Sequence, residues 1–148
     1  MTPAIRFTAA VLGTPDPRGS ARFYRDLLGW PIRDDTDDWA TLRPGDGTGL
    51  SFQLEADHVP PVWPPEPGSQ QMQTHLDFEV AELAAACAHA ESIGARRLGG
   101  YTSDDEDVAV YADPAGHPFC LFVHLAGCPG RREAGRSRCG VPTRATWT

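Results

Sequence analysis

Apolar and polar positions alternate along the chain in two similar series, each predicting strands around one helix. In the first series, the strand Ile5 to Leu12 precedes a helix from Arg18 to Leu28, where apolar residues recur at helical spacing. Asp16 can cap the start of this helix, and Gly29 supplies the backbone freedom that ends it. Three β-prone runs follow, at Trp30 to Arg33, Trp39 to Leu42 and Leu50 to Leu54. The order is therefore β-α-β-β-β.

The second series repeats this order. A strand from Thr74 to Val80 precedes an alanine-rich helix from Ala81 to Ile93, and Gly94 is placed to end that helix. Three further β-prone runs lie at Ala95 to Leu98, Val108 to Ala112 and Phe119 to His124. The turn sequence Asp113 to Gly116 joins the last two as a hairpin.

Matching positions in the two series indicate an internal duplication. Leu28-Gly29 corresponds to Ile93-Gly94 at an offset of 65, and Phe52-Gln53-Leu54 to Phe119-Cys120-Leu121 at 67. The same spacing places Ala9 opposite His75. We therefore expect one α+β domain over residues 4–125, with units at about 4–55 and 72–125 joined by a proline-rich linker.

Composition narrows the class of protein. No stretch is apolar for long enough to span a membrane, and the start lacks the pattern of a signal peptide, so we expect a cytoplasmic protein. Residues 1–128 carry a net charge of −11, which opposes nucleic-acid binding. Residues 129–148 carry +4 and little apolar content, so we expect residues 126–148 to be an Arg-rich disordered tail. The chain has no lysine, which excludes Schiff-base chemistry on a lysine.

Several short motifs resemble the vicinal oxygen chelate (VOC) superfamily, in particular its glyoxalase-like and bleomycin-resistance-like proteins. The resemblance covers about residues 4–125. It rests on Asp16-Pro17, Arg22-Phe23-Tyr24, Leu27-Leu28-Gly29-Trp30, His75-Leu76-Asp77-Phe78 and Asp113-Pro114-Ala115-Gly116-His117-Pro118-Phe119. The linker segment Pro60 to Pro64 and the segment Gly116 to Leu121 add to it.

The resemblance implies a fold and a kind of site. Tandem βαβββ modules would form a half-open mixed β-barrel around a small-molecule pocket, often in a homodimer. Metal-dependent members place a His or Gln and a Glu on the first and last strands of each unit. The equivalent positions here are Ala9, Gln53, His75 and Cys120, so both glutamates are absent. We therefore expect no metal cofactor, and keep a divalent metal as the alternative.

Alternation along the strand from Thr74 to Val80 selects the first site candidates. It places His75, Asp77 and Glu79 on one face, away from the apolar face that packs on the helix. His75 is the candidate catalytic residue, as a base or hydrogen-bond partner, with Asp77 as its charge partner. The alternative for His75 is a structural residue left from an ancestral metal site.

Other residues are candidates for contacting a ligand. Gln53 offers a hydrogen-bond donor and an acceptor. Cys120 is a candidate ligand contact that would be a nucleophile if His75 ionised its thiol, and the favoured alternative is a packed, inert thiol. The aromatic residues Trp63, Trp39 and Tyr111 could form a flat apolar wall, although packing is the favoured role for each.

Three functions remain open from the sequence. The first is a protein that binds a small organic molecule using Gln53 and His75, without metal. The second is an enzyme, either a metal-dependent lyase or dioxygenase with an altered ligand set such as His75, Asp77 and Glu79, or a metal-free isomerase with His75 as base. The third is an interaction module whose Arg-rich tail docks an acidic partner.

Overall fold

The computed structural model describes residues 1–45 and 47–125, which form two units that divide between Pro60 and Pro61. The predicted disorder of residues 126–148 lies outside the described residues and stays a prediction. The elements of the first unit are β1 (Ala9–Thr14), α1 (Pro17–Leu28), β2 (Ile32–Asp35), β3 (Trp39–Leu42) and β4 (Gly49–Leu54).

The first unit contains a four-stranded mixed sheet in the order β1-β4-β3-β2. β1 runs parallel to β4, and the other neighbouring pairs are antiparallel. β1 begins at Ala9, later than the predicted Ile5, and continues through Gly13 and Thr14. Pairing with β4 determines these ends, whereas Ile5 and Phe7 are exposed despite their apolar side chains.

Helix α1 begins and ends at the predicted signals. The Asp16 side chain accepts a hydrogen bond from the backbone N–H of Gly19 at 2.9 Å, and Pro17 opens the helix. Gly29 has a φ of 70° and donates its N–H to the carbonyl of Arg25. These contacts satisfy backbone groups that a helix end leaves without partners.

The apolar core of the first unit lies between α1 and one face of its sheet. Tyr24 of α1 stacks on Phe52 of β4 with ring centroids 5.5 Å apart, and both side chains are fully buried. Leu42 and Leu50 extend this apolar layer along the sheet. Burial of these aromatic and aliphatic side chains stabilises the unit.

The second unit repeats the arrangement. Its elements are β5 (Leu76–Glu79), α2 (Leu83–Ser92), β6 (Arg96–Thr102), β7 (Glu106–Ala112) and β8 (Pro118–His124). The sheet order is β5-β8-β7-β6, with β5 parallel to β8 and the other neighbouring pairs antiparallel. This is the order of the first sheet, strand for strand, so the predicted tandem βαβββ fold of class α+β is confirmed.

The predicted hairpin between β7 and β8 is organised by Asp113, which is 4% exposed. Its Oδ1 accepts hydrogen bonds from the backbone N–H groups of Ala115 and His117, both at 2.9 Å. The His117 ring lies 3.3 Å from Oδ2 of the same carboxylate. The hairpin therefore depends on a buried carboxylate that satisfies the turn.

The second unit packs its aromatic residues between α2 and the sheet. Phe119 of β8 stacks on Tyr111 of β7 with ring centroids 5.7 Å apart. Phe78 of β5 contacts the Phe119 ring edge-on. Glu82 caps α2, accepting hydrogen bonds from Ala84 and Ala85. In the described residues, no helix has the length and apolar character that a membrane span needs.

Candidate functional site

The two faces of the second sheet have different roles. Tyr111, Phe119 and Phe78 point toward α2, so their strand neighbours point the opposite way. We call this opposite side the unit-2 distal face; its strand residues include Asp77, Glu79, Glu106, Val108, Val110, Cys120 and Phe122. His75 precedes β5 and continues the alternation of Asp77 and Glu79.

The unit-2 distal face brings three of the predicted site residues together. His75 Nε2 lies 3.2 Å from Asp77 Oδ1, and Asp77 is the direct partner of Cys120 across β5 and β8. One ligand atom from each of the three residues lies within 4.8 Å of the others. The His75 and Asp77 side chains are 42% and 58% exposed, so they are accessible to a ligand.

Cys120 is a protonated thiol in this environment. Burial raises the pKa of the Cys120 thiol to about 12, and the negative charge of Asp77 and its hydrogen bond with the thiol act in the same direction. The more distant carboxylate of Glu106 adds to the effect. A thiol of this kind is a weak nucleophile, because the thiolate is the reactive form.

Two residues of this face were missed by the sequence reasoning. Tyr101 donates a hydrogen bond to Glu106 Oε1 at 2.6 Å, and both residues lie on the same face as Cys120. Tyr101 pairs with Val108, whose side chain is buried. Only the register of β6 on β7 shows this grouping, because nothing in the sequence links Tyr101 to Cys120.

Tyr111 lies on the α2 side of the sheet, opposite to His75, Asp77 and Cys120. Its hydroxyl donates to Glu91 Oε1 at 2.8 Å and accepts from Arg97 at 3.2 Å. Burial raises the pKa of Tyr111, with further contributions from hydrogen bonds to Cys87 and Glu91. Tyr111 is therefore a structural link between β7 and α2.

A cleft of about 630 Å³ lies beside this link, between α2 and the sheet. Its α2 side is lined by small residues such as Ala84 and Ala88, with Arg97 and Val123 on the sheet. The cleft arises because alanines fill little of the space between a helix and a sheet. Arg97 in the cleft donates hydrogen bonds to Tyr111 and Cys87. These contacts indicate a structural role for Arg97.

Gln53 and Trp39 lie together in the first unit. They are direct partners across β3 and β4, so both point to the sheet face opposite α1. Gln53 is exposed and Trp39 is half-buried. Trp63 is half-buried in the linker, which contains no helix or strand.

The strand register changes one correspondence between the units. Gln53 pairs with Gly13 on β1, and Cys120 pairs with Asp77 on β5. The residue two before Gly13 is Val11, and the residue two before Asp77 is His75. If Gln53 and Cys120 are equivalent, Val11 rather than Ala9 matches His75. Neither residue can bind a metal, so the first unit lacks a first-strand ligand in either alignment.

Comparison with known proteins agrees with this architecture. A family profile described as "Glyoxalase-like domain" matches residues 9–122, from the start of β1 nearly to the end of β8. The chain belongs to the glyoxalase-like domain family. Its resemblance to the VOC superfamily is thereby confirmed, while no curated protein matches the chain.

Solved structures share the fold of this glyoxalase-like chain at low sequence identity. A glyoxalase/bleomycin resistance protein/dioxygenase family enzyme from Burkholderia phytofirmans PsJN has a TM-score of 0.66 and 16% identity, covering 82% of this chain and all of that one. A glyoxalase/dioxygenase from Nostoc punctiforme has a TM-score of 0.63 and 19% identity, covering 81% and 91%. A lactoylglutathione lyase from Agrobacterium tumefaciens has 0.58 and 17%, covering 82% and 96%. At these identities the comparison shows the fold.

The donor set of this glyoxalase-like chain can be compared with what a metal needs. An imidazole, a carboxylate and a thiol match a borderline ion such as zinc in number and type. Cys120, rather than the predicted Glu79, completes this group; Glu79 pairs with Phe122 further along the strand. The raised pKa of Cys120 opposes metal binding, because the thiolate is the form that binds.

Proposed function

We propose that this glyoxalase-like chain binds a small organic molecule on the unit-2 distal face, without the usual metal of metal-dependent VOC proteins. The observation that carries the proposal is the contact of 3.2 Å between His75 and Asp77 beside Cys120, on the face turned away from the helix-packed core. These side chains are exposed and are not needed to fill that core. Polar groups gathered in this way are typical of ligand anchors.

Each residue has a distinct part in this proposal. His75 donates or accepts a hydrogen bond with a polar group of the ligand, and Asp77 orients the imidazole. Phe122, two residues beyond Cys120 on β8, is half-buried and supplies apolar contact area. Small-molecule sites combine apolar area with a few polar anchors in this way. Gln53 and Trp63 remain predicted ligand contacts.

A screen of small organic molecules tests the proposal. Binding is measured by ligand-observed NMR and then by calorimetry on the wild type, His75→Ala and Asp77→Asn. We expect His75→Ala to weaken binding about tenfold or more, because it removes a direct hydrogen-bond partner. Asp77→Asn should weaken it less, since an amide still accepts a hydrogen bond.

The matched control is His89→Ala, which removes the same side chain from an exposed position on α2. It should leave affinity unchanged. Binding that survives His75→Ala, or that is lost equally in His89→Ala, would contradict the proposal. Unfolding midpoints of all three variants establish that each is folded.

A second candidate function is an enzyme, and the grouping of His75, Asp77 and Cys120 within 4.8 Å favours its metal-dependent form. These three residues would hold a divalent ion, which would act as a Lewis acid on a substrate oxygen. The chemistry would be that of a lyase or a dioxygenase. A metal-free isomerase that uses His75 as its base is the other form of this candidate.

Elemental analysis separates these possibilities. The protein is purified without a metal-affinity tag, before and after exposure to iron, manganese, nickel and zinc. Metal bound near one equivalent, and lost in both His75→Ala and Cys120→Ser, would favour the metalloenzyme. Turnover by metal-free wild type that is lost in His75→Ala would instead favour the isomerase.

Location and assembly are further parts of the proposal. The acidic composition and the apolar pattern support a cytoplasmic protein, and the family resemblance supports a homodimer in which residues 4–125 form one domain. Light scattering coupled to size-exclusion chromatography gives the mass in solution. A mass near twice 16.0 kDa is expected, and a mass near 16.0 kDa would contradict the homodimer.

A further inference from the structure

A hydrogen-bonded relay of three side chains crosses the first sheet on the face opposite α1. Trp39 Nε1 donates to Thr41 Oγ1 at 2.9 Å, and Thr41 Oγ1 lies 3.2 Å from Ser51 Oγ. Thr41 and Ser51 are each 3% exposed and are direct partners across β3 and β4. The indole N–H is therefore held by one buried hydroxyl, that of Thr41, which in turn contacts the hydroxyl of Ser51.

The relay gives the two buried hydroxyl groups hydrogen-bond partners and also orients the indole ring. Buried hydroxyls lower stability unless they are hydrogen-bonded, and a valine or alanine would fill these two positions without that requirement. The arrangement here uses both hydroxyls to fix the orientation of one half-buried indole. A ring held in one orientation loses less entropy when a ligand stacks on it.

Beside the indole lies a surface with little other side-chain bulk. Gln53 is the cross-strand partner of Trp39, and its neighbour on β1 is Gly13, which has no side chain. Val11, two residues earlier on the same face, is 51% exposed. We call Trp39, Gln53, Gly13 and Val11 the Trp39 platform. Glu55 lies at its edge, with its Cβ 3.4 Å from where a Cβ on Gly13 would be.

We propose that the Trp39 platform binds a planar ring whose edge carries an N–H donor next to a carbonyl acceptor, as in a lactam. The ring stacks on Trp39, and the Gln53 amide pairs with the edge because it offers one acceptor and two donors. Glu55 at the rim disfavours anionic ligands. Thr41 and Ser51 act as positioning residues through the indole. The inference goes beyond the proposed function, because the Trp39 platform lies in the first unit and the unit-2 distal face in the second.

The test uses 2-quinolinone, a neutral bicyclic lactam, and 2-naphthoate, an anionic ring of similar size. Affinity for the full chain is measured by calorimetry, and the Trp39 indole N–H is followed by ¹H–¹⁵N NMR. We expect 2-quinolinone to bind more tightly than 2-naphthoate and to shift the Trp39 signal. Trp39→Ala and Gln53→Ala should each weaken binding about tenfold.

The positioning role is tested with Thr41→Val and Thr41→Ser. Thr41→Val removes the hydroxyl at nearly constant shape, so it should move the free Trp39 N–H signal and weaken 2-quinolinone about fivefold. Thr41→Ser keeps the hydroxyl and should restore both. Ser51→Ala should have an intermediate effect. Unfolding midpoints show that the variants are folded.

Three results would overturn the inference: no binding of 2-quinolinone to the folded wild type, equal binding of 2-naphthoate, or equal affinity in Thr41→Val and Thr41→Ser. Failure of the proposed function is a separate result, because His75→Ala reports on the second unit. Loss of small-molecule binding in His75→Ala together with intact 2-quinolinone binding would support both statements independently.

Discussion

The carboxylate of Asp77 lies next to the thiol of Cys120 because the two residues are direct partners on the parallel strands β5 and β8. A negative charge beside a half-buried thiol stabilises the protonated form of that thiol, and the pKa of Cys120 rises to about 12. The Asp77–Cys120 pair therefore behaves as a hydrogen-bonding surface and not as a nucleophilic centre.

The first prediction concerns the rate at which iodoacetamide alkylates Cys120, measured by peptide mass spectrometry. At pH 8 Cys120 should react about a hundredfold or more slowly than an ordinary free thiol, because little thiolate is present when the pKa is about 12. The rate should rise steadily as the pH increases toward that value. Asp77→Asn should accelerate it, since removing the charge lowers the pKa.

Glu79→Gln is the matched control for this measurement. Glu79 lies on the same strand and face as Asp77 but pairs with Phe122 instead of Cys120. Its neutralisation should change the rate much less than Asp77→Asn does. Rapid alkylation of wild-type Cys120 at pH 8 would show that the thiol is ionised and that this description of the face is wrong.

The second prediction separates the structural role of Tyr111 from a role in ligand binding. Tyr111→Phe removes the hydrogen bonds to Glu91 and Arg97. The free energy of unfolding, measured by urea denaturation, should therefore fall by about 1–2 kcal/mol. Affinity for ligands of the unit-2 distal face should not change. Unchanged stability combined with weaker ligand binding would show that Tyr111 contacts the ligand and does not stabilise the fold.

The third prediction concerns the hairpin carboxylate. Asp113→Ala should lower the free energy of unfolding by about 2–3 kcal/mol, because two backbone N–H groups in the turn lose their shared acceptor. Asp113→Asn should lower it less, since its side-chain oxygen can still accept both bonds. Denaturant unfolding of the two variants gives the comparison, and equal losses would show that charge matters more than the acceptor.

Local signals in the sequence were sufficient for the ends of α1 and the order of elements, whereas α2 spans Leu83–Ser92 and is shorter than the predicted Ala81 to Ile93. Asp16 and Gly29 cap the two ends of α1 as expected, and β3 has the predicted ends at Trp39 and Leu42. Capping groups and turn residues act over a few positions, so their meaning can be read without the rest of the fold. The start of β1 was predicted too early, because pairing with β4 decides where that strand begins.

The candidate site was predicted in part. Alternation along β5 correctly separated Asp77 from Phe78, since a single strand fixes which of its neighbours share a face. The face on which Tyr111 lies could not be predicted, because it depends on the register across the hairpin, where Tyr111 pairs with Phe119 and not with Cys120. The contact between Thr41 and Ser51 was missed for the same reason, because it needs the register of β3 on β4.

Metal-independent binding at His75 is tested by calorimetric titration of the strongest screening hit into protein treated with EDTA. We expect affinity to be unchanged by EDTA and by added zinc, and to fall about tenfold or more in His75→Ala. Binding that disappears with EDTA and returns with zinc would contradict the proposal of a metal-independent site and favour the metal-dependent enzyme instead.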